Sequence, residues 1–346
     1  MKVLFDIGHP AHVHLFRNPR EILLDRGHTV HMVAREKEMA RSLLRTYGID
    51  FFPGSTQRNG MGMVLELFEW FYRVRRLIGG LDIDVVVSVG SPAGAWASRV
   101  QGIPHLAFND TESASLQRIL YKPVVTRIYT PSCYSLDLGR KHERYEGYHE
   151  LSYLRPRYFD PDPEVLGELG VEEGERYTIL RFVGWQASHD VGHKGLSNDT
   201  KLSAVERFGR FGKVFVSSER RLSGKLERFK IGIPPERIHH ALAFATLLYG
   251  ESATMASECS VLGTPAIYLD DDGRGYTDEQ EKRYGMVFNF SESRSDQEAS
   301  ISKGEEILEW NNAKQEWAAK RDRLLAEKID VARYIADRIE DTVERN

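Results

Sequence analysis

Short apolar runs that end in glycine or small polar residues recur along the chain, each followed by a stretch of helical character. This alternation constrains the fold more than any other feature. Residues 3–7 (VLFDI) end at Gly8, and residues 84–89 (DVVVSV) open into Gly90, Ser91 and Pro92. Residues 28–34, 49–52 and 104–108 read as further strands, with helices over 36–47 and 93–101. Runs this short and this apolar suit strands buried on both faces. Strand–helix alternation implies right-handed crossovers and a parallel sheet covered by helices. Ligands of such sheets sit at the carboxyl ends of the strands. That rule singles out residues 8–14, 90–94 and 109–112.

A second set of strands comes after a stretch with three prolines in nine residues, 155–163 (RPRYFDPDP), which is extended and turn-rich and a linker candidate. Residues 177–183, 213–216 and 266–269 read as its strands, and the chain from Ile301 onward is strongly helical. A length of 346 residues fits about two domains. The expected division is an N-terminal unit over 1–155, a linker over 156–163 and a second unit over 164–325. A C-terminal helix over 326–346 would pack back on the first unit.

Residues 250–269, GESATMASECSVLGTPAIYL, carry the clearest functional pattern. Small residues before a helix over 254–262 leave backbone N–H groups open to phosphates, and the helix start favours negative charge. Glu258 lies one turn inside, where a carboxylate can accept hydrogen bonds from a ribose diol. An ordinary loop–helix–strand unit is the competing reading, since a lone small-residue turn is a weak motif.

Composition narrows the classes. The net charge of −4 argues against nonspecific nucleic-acid binding. Cys133 and Cys259 are the only cysteines, which leaves no disulfide framework and no four-thiolate zinc site. The start, MKVLFDIG, lacks the pattern of a signal peptide. No apolar run reaches the ~18 residues of a spanning helix. A cytoplasmic setting is expected.

Two doubly wound units, a glycine- and histidine-containing loop after the first strand and the 250–269 pattern together resemble the GT-B glycosyltransferases. The late segment is similar to the nucleotide-sugar site of the lipid-linked N-acetylglucosaminyltransferase of peptidoglycan synthesis and to that of the UDP-N-acetylglucosamine 2-epimerases. Through DIGHPAHVHLF, LRFVGWQASHD and YLRPRYFDPDP the chain resembles, over nearly its whole length, a largely archaeal family of unknown function. The resemblance implies two Rossmann-like domains facing a cleft, with the donor, expected to be UDP-linked, on the C-terminal domain and the acceptor on the N-terminal one. It implies no bound metal and no cofactor.

Carried over by position, Gly250, Ser252, Ala253 and Thr254 would meet the diphosphate or donor sugar. Glu258 would hold the ribose hydroxyls, and the second phosphate loop would correspond loosely to residues 181–185, including Arg181 and Trp185. His12 falls at the histidine of the transferase's first loop. This chain departs there, with His9, His12 and His14 in place of additional glycines. Glycosyl transfer needs a base for the acceptor hydroxyl, and an imidazole of ordinary pKa ~6.5 suits that task near neutrality. His12 is the leading candidate, Asp110 the alternative, and Glu112, Ser91 and His189 are further cleft candidates. For any of the histidines the alternative is a structural role bonded to backbone. Asn18-Pro19-Arg20-Glu21 has helix-start chemistry of its own. Either a helix begins there and His12 lies in a loop, or an earlier helix continues through Pro19. A metal site at His189 and His193 is disfavoured by Gly192 and Gly195, and residues 270–272 (DDD) read as a solvated turn.

Residues 61–78 (MGMVLELFEWFYRVRRLI) are apolar almost all round, with Glu66, Glu69, Arg73 and Arg76 in one narrow polar stripe. Burial in a core or a homodimer contact is the first expectation. Peripheral contact with an anionic membrane, where a lipid-linked acceptor would be met, is the second. A transferase with an unknown acceptor leads the functional reading. An epimerase of the 2-epimerase type comes next, and a noncatalytic nucleotide-sugar-binding protein third.

Overall fold

The computed structural model describes residues 1–35, 38–55, 62–172, 174–183, 195–218, 222 and 224–345. Met61, Trp185, His189 and His193 lie outside the described residues. The chain divides into two compact units, residues 1–153 with 329–346, and residues 154–328.

The first unit is a seven-stranded parallel sheet. In chain order its elements are β1 (Lys2–Ile7), α1 (Pro10–Asp25), β2 (Thr29–Ala34), α2 (Glu38–Thr46), β3 (Phe52–Pro53) and α3 (Gly62–Leu81). Next come β4 (Val85–Ser88), α4 (Pro92–Gln101), β5 (His105–Phe108), α5 (Ser115–Tyr121), β6 (Arg127–Pro131) and β7 (His142–Tyr145). The strand order is β3-β2-β1-β4-β5-β6-β7, so the winding direction reverses between β1 and β4. Val3, Leu4, Phe5 and Ile7 of β1 are fully buried at the centre, as a run broken only by Asp6 requires.

Two local details differ from the sequence reading or decide between its alternatives. Ile49 does not open a strand. Gly48 turns left-handed at φ 64° and the Ile49 amide returns 2.8 Å to the Leu44 carbonyl, so residues 47–49 close α2 in a Schellman-type stop. The first helix runs unbroken from Pro10 with Pro19 inside it. Pro19 has no N–H to offer the carbonyl four residues back. The Ser152 hydroxyl supplies the missing donor, 2.6 Å from the Leu15 carbonyl, and Asn18 Nδ2 holds the Ser152 carbonyl at 2.7 Å. His12 therefore lies in the first helical turn, not in a loop.

The second unit holds α6 (Glu164–Glu168), β8 (Tyr177–Phe182), α7 (Asn198–Phe208), β9 (Lys213–Ser218), α8 (Ile238–Phe244), β10 (Leu247–Gly250) and α9 (Ala253–Leu262). It continues with β11 (Ala266–Leu269), α10 (Gly275–Lys282), β12 (Val287–Phe290), α11 (Arg294–Glu309) and α12 (Ala313–Glu327). Its five parallel strands run β12-β11-β10-β8-β9, reversing between β8 and β10. The Pro-rich stretch is bonded into this unit. The Asp162 amide meets His240 Nδ1 at 2.9 Å, and Arg155 donates to the Leu325 and Lys328 carbonyls at 2.8 and 3.0 Å. The last helix, α13 (Val331–Glu344), belongs to the first unit, where Arg26 meets Asp337 at 2.9 Å and His28 meets Glu340 at 2.8 Å.

Of the polar stripe expected of α3, Glu69, Arg73 and Arg76 are exposed, but Glu66 is not. Glu66 is buried beside Trp70, Val74 and Ile78, one residue per turn, while Leu65, Phe68 and Tyr72 face outward. Arg35 lies 3.4 Å from Glu66, and Trp70 Nε1 donates to Asp6 at 3.1 Å. Buried polar partners, which the helix alone cannot reveal, set its rotation.

Candidate active site

Ligand crevices of doubly wound sheets open where the strand order reverses, at the carboxyl ends of the flanking strands. In the first unit that place lies between the ends of β1 and β4. His9 caps α1, accepting from the Ala11 amide at 3.2 Å, and Pro10 occupies the first helical position. The Gly8 amide donates to His12 Nδ1 at 3.2 Å. An Nδ1 that accepts leaves the proton of a neutral ring on Nε2. His14, two residues on, is buried, stacked on Tyr153 at 5.3 Å and 3.4 Å from the Tyr47 hydroxyl. The structure thus separates the three histidines, with His9 a cap, His12 at the strand end and His14 in the packing.

Ser91 caps α4 through the Gly94 amide at 3.2 Å. Beneath it Asp6 is fully buried; burial raises its pKa, against the hydrogen bond of Ser91, the charge of Arg35 and the hydrogen bond of Trp70. A Cβ on Gly94 would stand 2.7 Å from the Asp6 carboxylate, so only glycine lets the helix approach this closely.

Asp110, after β5, does not stand alone. Its Oδ2 lies 2.9 Å from His149 Nδ1, and its Oδ1 accepts from the Thr111 hydroxyl at 2.9 Å. Burial raises its pKa, but the His149 charge, the two hydrogen bonds and the charge of His12 outweigh that and hold it at about 2. For His149, burial lowers the pKa, while the Asp110 carboxylate raises it past the ordinary value. The pair is therefore held ionised. A carboxyl group of pKa about 2 is a poor proton acceptor near neutrality. Ionised, it supplies the counter-charge of His149 at 2.9 Å. His149 went unrecognised because the sequence reading placed no strand before it; it follows β7 and sits in a short 3-10 turn, His149–Ser152. Glu112 Oε1 accepts from the Ser135 amide at 3.3 Å.

In the second unit the reversal lies between β8 and β10. Gly250 has φ 151°, and a Cβ there would stand 2.0 Å from the Arg181 carbonyl of β8. Close strand packing requires a glycine here, at the position that the resemblance sets against the diphosphate or donor sugar. Arg181 Nη1 donates to the Ser217 hydroxyl at 3.0 Å. The Glu251 carboxylate accepts the Val183 amide at 2.9 Å and the Leu196 amide at 2.6 Å, tying the end of β8 to the approach of α7.

Ser252 caps α9, its hydroxyl accepting from the Met255 amide at 3.3 Å. Ala253 and Thr254 occupy the first two helical positions, whose amides point out of the helix start. Glu258 is buried, with Oε1 2.9 Å from His239 Nε2 of α8. His239 is a second residue that the sequence did not mark, because the segment before β10 read only as a lead-in. Asp270 closes its own turn, accepting from the Tyr268 hydroxyl at 2.5 Å and the Asp272 amide at 2.9 Å.

The sequence matches no protein-family model and no curated protein. Solved structures are similar over their full length. UDP-GlcNAc 2-epimerase from Neisseria meningitidis, bound to UDP-GlcNAc, superposes with a TM-score of 0.70 at 12% identity, covering 100% of both chains. MurG of Acinetobacter baumannii gives 0.59 at 14% identity, over 98% of this chain and 99% of that one. The spinosyn forosaminyltransferase SpnP gives 0.67 at 14% identity, over 99% of each. The fold of this chain is of the GT-B type, two Rossmann-like units built on parallel sheets.

Proposed function

We propose that the protein is a glycosyltransferase that moves a sugar from a nucleotide-sugar donor, UDP-linked, to an acceptor hydroxyl. The observation that carries this reading is the pairing of two unlike strand-end sites on one GT-B chain. One presents a capped helix start with a buried glutamate, and the other an imidazole–carboxylate group. The amides of Ala253 and Thr254, with the α9 dipole, would receive the diphosphate, and Arg181 would add positive charge. Glu258 would accept the ribose hydroxyls while His239 keeps its hold on Oε1. The acceptor oxygen would bond to the anomeric carbon as the bond from that carbon to the diphosphate oxygen breaks, releasing the nucleoside diphosphate.

His12 would take the acceptor proton. Its Nδ1 accepts from the Gly8 amide in this structure, so base work at Nδ1 requires the acceptor hydroxyl to replace that amide. Asp110, ionised at all working pH, would stabilise the imidazolium that forms, as the buried carboxylate does in a catalytic triad. Should His12 instead donate through Nε2, its contact would be with the leaving diphosphate.

A second reading, a nucleotide-sugar 2-epimerase, is supported by the TM-score of 0.70 to the Neisseria enzyme, higher than the 0.59 and 0.67 to MurG and SpnP. Incubation with UDP-N-acetylglucosamine alone separates the two. Intact donor that is bound but not turned over supports the transferase. Acceptor-independent epimerisation or UDP release supports the epimerase. Failure of a panel of nucleotide sugars to bind would remove both.

A further inference from the structure

Helices α3, α4 and α5 lie side by side on the first unit. Gln101 Nε2 at the end of α4 donates to the Arg75 carbonyl of α3 at 3.2 Å, and Trp96 Nε1 of α4 donates to the Leu120 carbonyl of α5 at 3.0 Å. Their inward faces fill the core through Trp70, Val74, Ile78, Ala93, Ala97 and Tyr121. Their outward faces are unusually apolar. Phe68 is 58% exposed, Tyr72 62%, Trp96 45%, Val100 54% and Ile119 68%. Single exposed apolar residues are ordinary, but large side chains shared by three adjoining helices form the kind of patch that marks an interaction surface.

The charges among them point to the occupant. The chain as a whole carries −4. Yet among the described residues of these helices and the two that directly follow α3 and α5, Asp82 and Lys122, the exposed charged ones are Arg73, Arg75, Arg76, Arg99 and Lys122 against the acids Glu69 and Asp82. A second copy of this face would bring like charges together across a two-fold contact. A surface that is apolar within and anionic above satisfies both features at once. Long basic side chains can stay with the headgroups while aromatic and aliphatic ones enter the acyl boundary.

We infer that the α3–α5 face docks the protein on an anionic lipid bilayer. This holds whichever sugar chemistry the strand-end sites perform. The full chain should co-sediment with phosphatidylglycerol vesicles at low salt and lose that binding as salt rises, with far weaker binding to phosphatidylcholine vesicles. The triple variant Arg75→Gln, Arg76→Gln, Arg99→Gln should bind phosphatidylglycerol roughly a hundredfold more weakly. The double variant Phe68→Ser, Ile119→Ser should lose binding too, without loss of fold by circular dichroism, since both side chains are in solvent.

No co-sedimentation of the wild type with phosphatidylglycerol would overturn the inference, as would equal binding to both lipids. A dimer in sedimentation velocity that Phe68→Ser dissolves would assign the face to a second copy instead. Release from vesicles by short RNA that binds the same residues would assign it to nucleic acid. Should either variant unfold, the lipid preference and salt response of the wild type still decide.

Discussion

The two strand-end sites share one topology and almost no chemistry. At the β1/β4 reversal the chain gathers titratable side chains. There His12 rests on a backbone amide, and beyond the neighbouring β5 Asp110 forms with His149 a mostly buried ion pair 2.9 Å long. At the β8/β10 reversal it gathers backbone, with a glycine too close to the neighbouring strand for any side chain, a serine cap and two open helical amides. The carboxylates of the second site are hydrogen-bonded from within, Glu258 to His239 and Glu251 to two amides. A site that holds a diphosphate needs fixed dipoles that cost nothing to reorganise. A site that moves a proton needs groups whose charge can change. The same fold supplies either, according to the residues placed at the carboxyl ends of its strands.

Removing the titratable ring should give the largest effect. His12→Ala is expected to lower turnover by about two to four orders of magnitude with donor affinity nearly unchanged. Parallel loss of donor affinity in calorimetry would move His12 to the leaving diphosphate and make the two sites alike in binding phosphate.

Next in size is the ion pair. Asp110→Asn leaves His149 without its counter-charge and should destabilise the first unit by about 3 kcal/mol in denaturant unfolding. The pair also sets a pH window. The Asp110 contribution is present above the ordinary carboxylate value of 3.8 and fades as pH falls towards about 2. The His149 contribution is present below 6.5 and fades as pH rises through its raised folded value. Wild-type stability from this pair should therefore peak between those limits and fall on the alkaline side, and Asp110→Asn should flatten the profile. An unchanged profile would show that the pair is not held ionised.

On the other unit, Glu258→Gln keeps the shape but removes the charge. Nucleotide affinity should drop roughly tenfold, since a charge-assisted hydrogen bond contributes about 1.5–3 kcal/mol. Unchanged affinity in a folded variant would remove Glu258 from ribose binding and leave it as the partner of His239. The smallest effect expected is that of Ser252→Ala. Loss of the cap should cost about 1 kcal/mol of stability, and nucleotide binding should suffer only through the α9 start. A loss far above that would mean that the hydroxyl itself meets the ligand.

The strands that bear the sites were readable because strands buried on both faces must be mostly apolar, as residues 3–7 are apart from Asp6 and residues 266–269 are throughout. The cap at Ser252 and the stop at Gly48 arise from local chemistry that acts within one turn. The groups that the sequence left unmarked act at a distance. His149 lies 39 positions from Asp110 and His239 lies 19 from Glu258. No local periodicity can announce a partner that arrives through a crossover.

The sequence alone determined the parallel α/β class, the two-unit organisation it implies and the capped helix after Gly250, because burial and hydrogen-bond closure act on neighbours in the chain. The tertiary structure decided the rest. Ser152 satisfies the carbonyl that Pro19 leaves open, and so fixes His12 in a helix. Glu66 finds Arg35, and so sits on the buried side of α3 with Trp70, Val74 and Ile78. His149 meets Asp110, and so holds that carboxylate in its charged form. In each case a polar group that must be satisfied away from water found its partner in a segment remote in the chain, and that pairing is settled only when the fold closes.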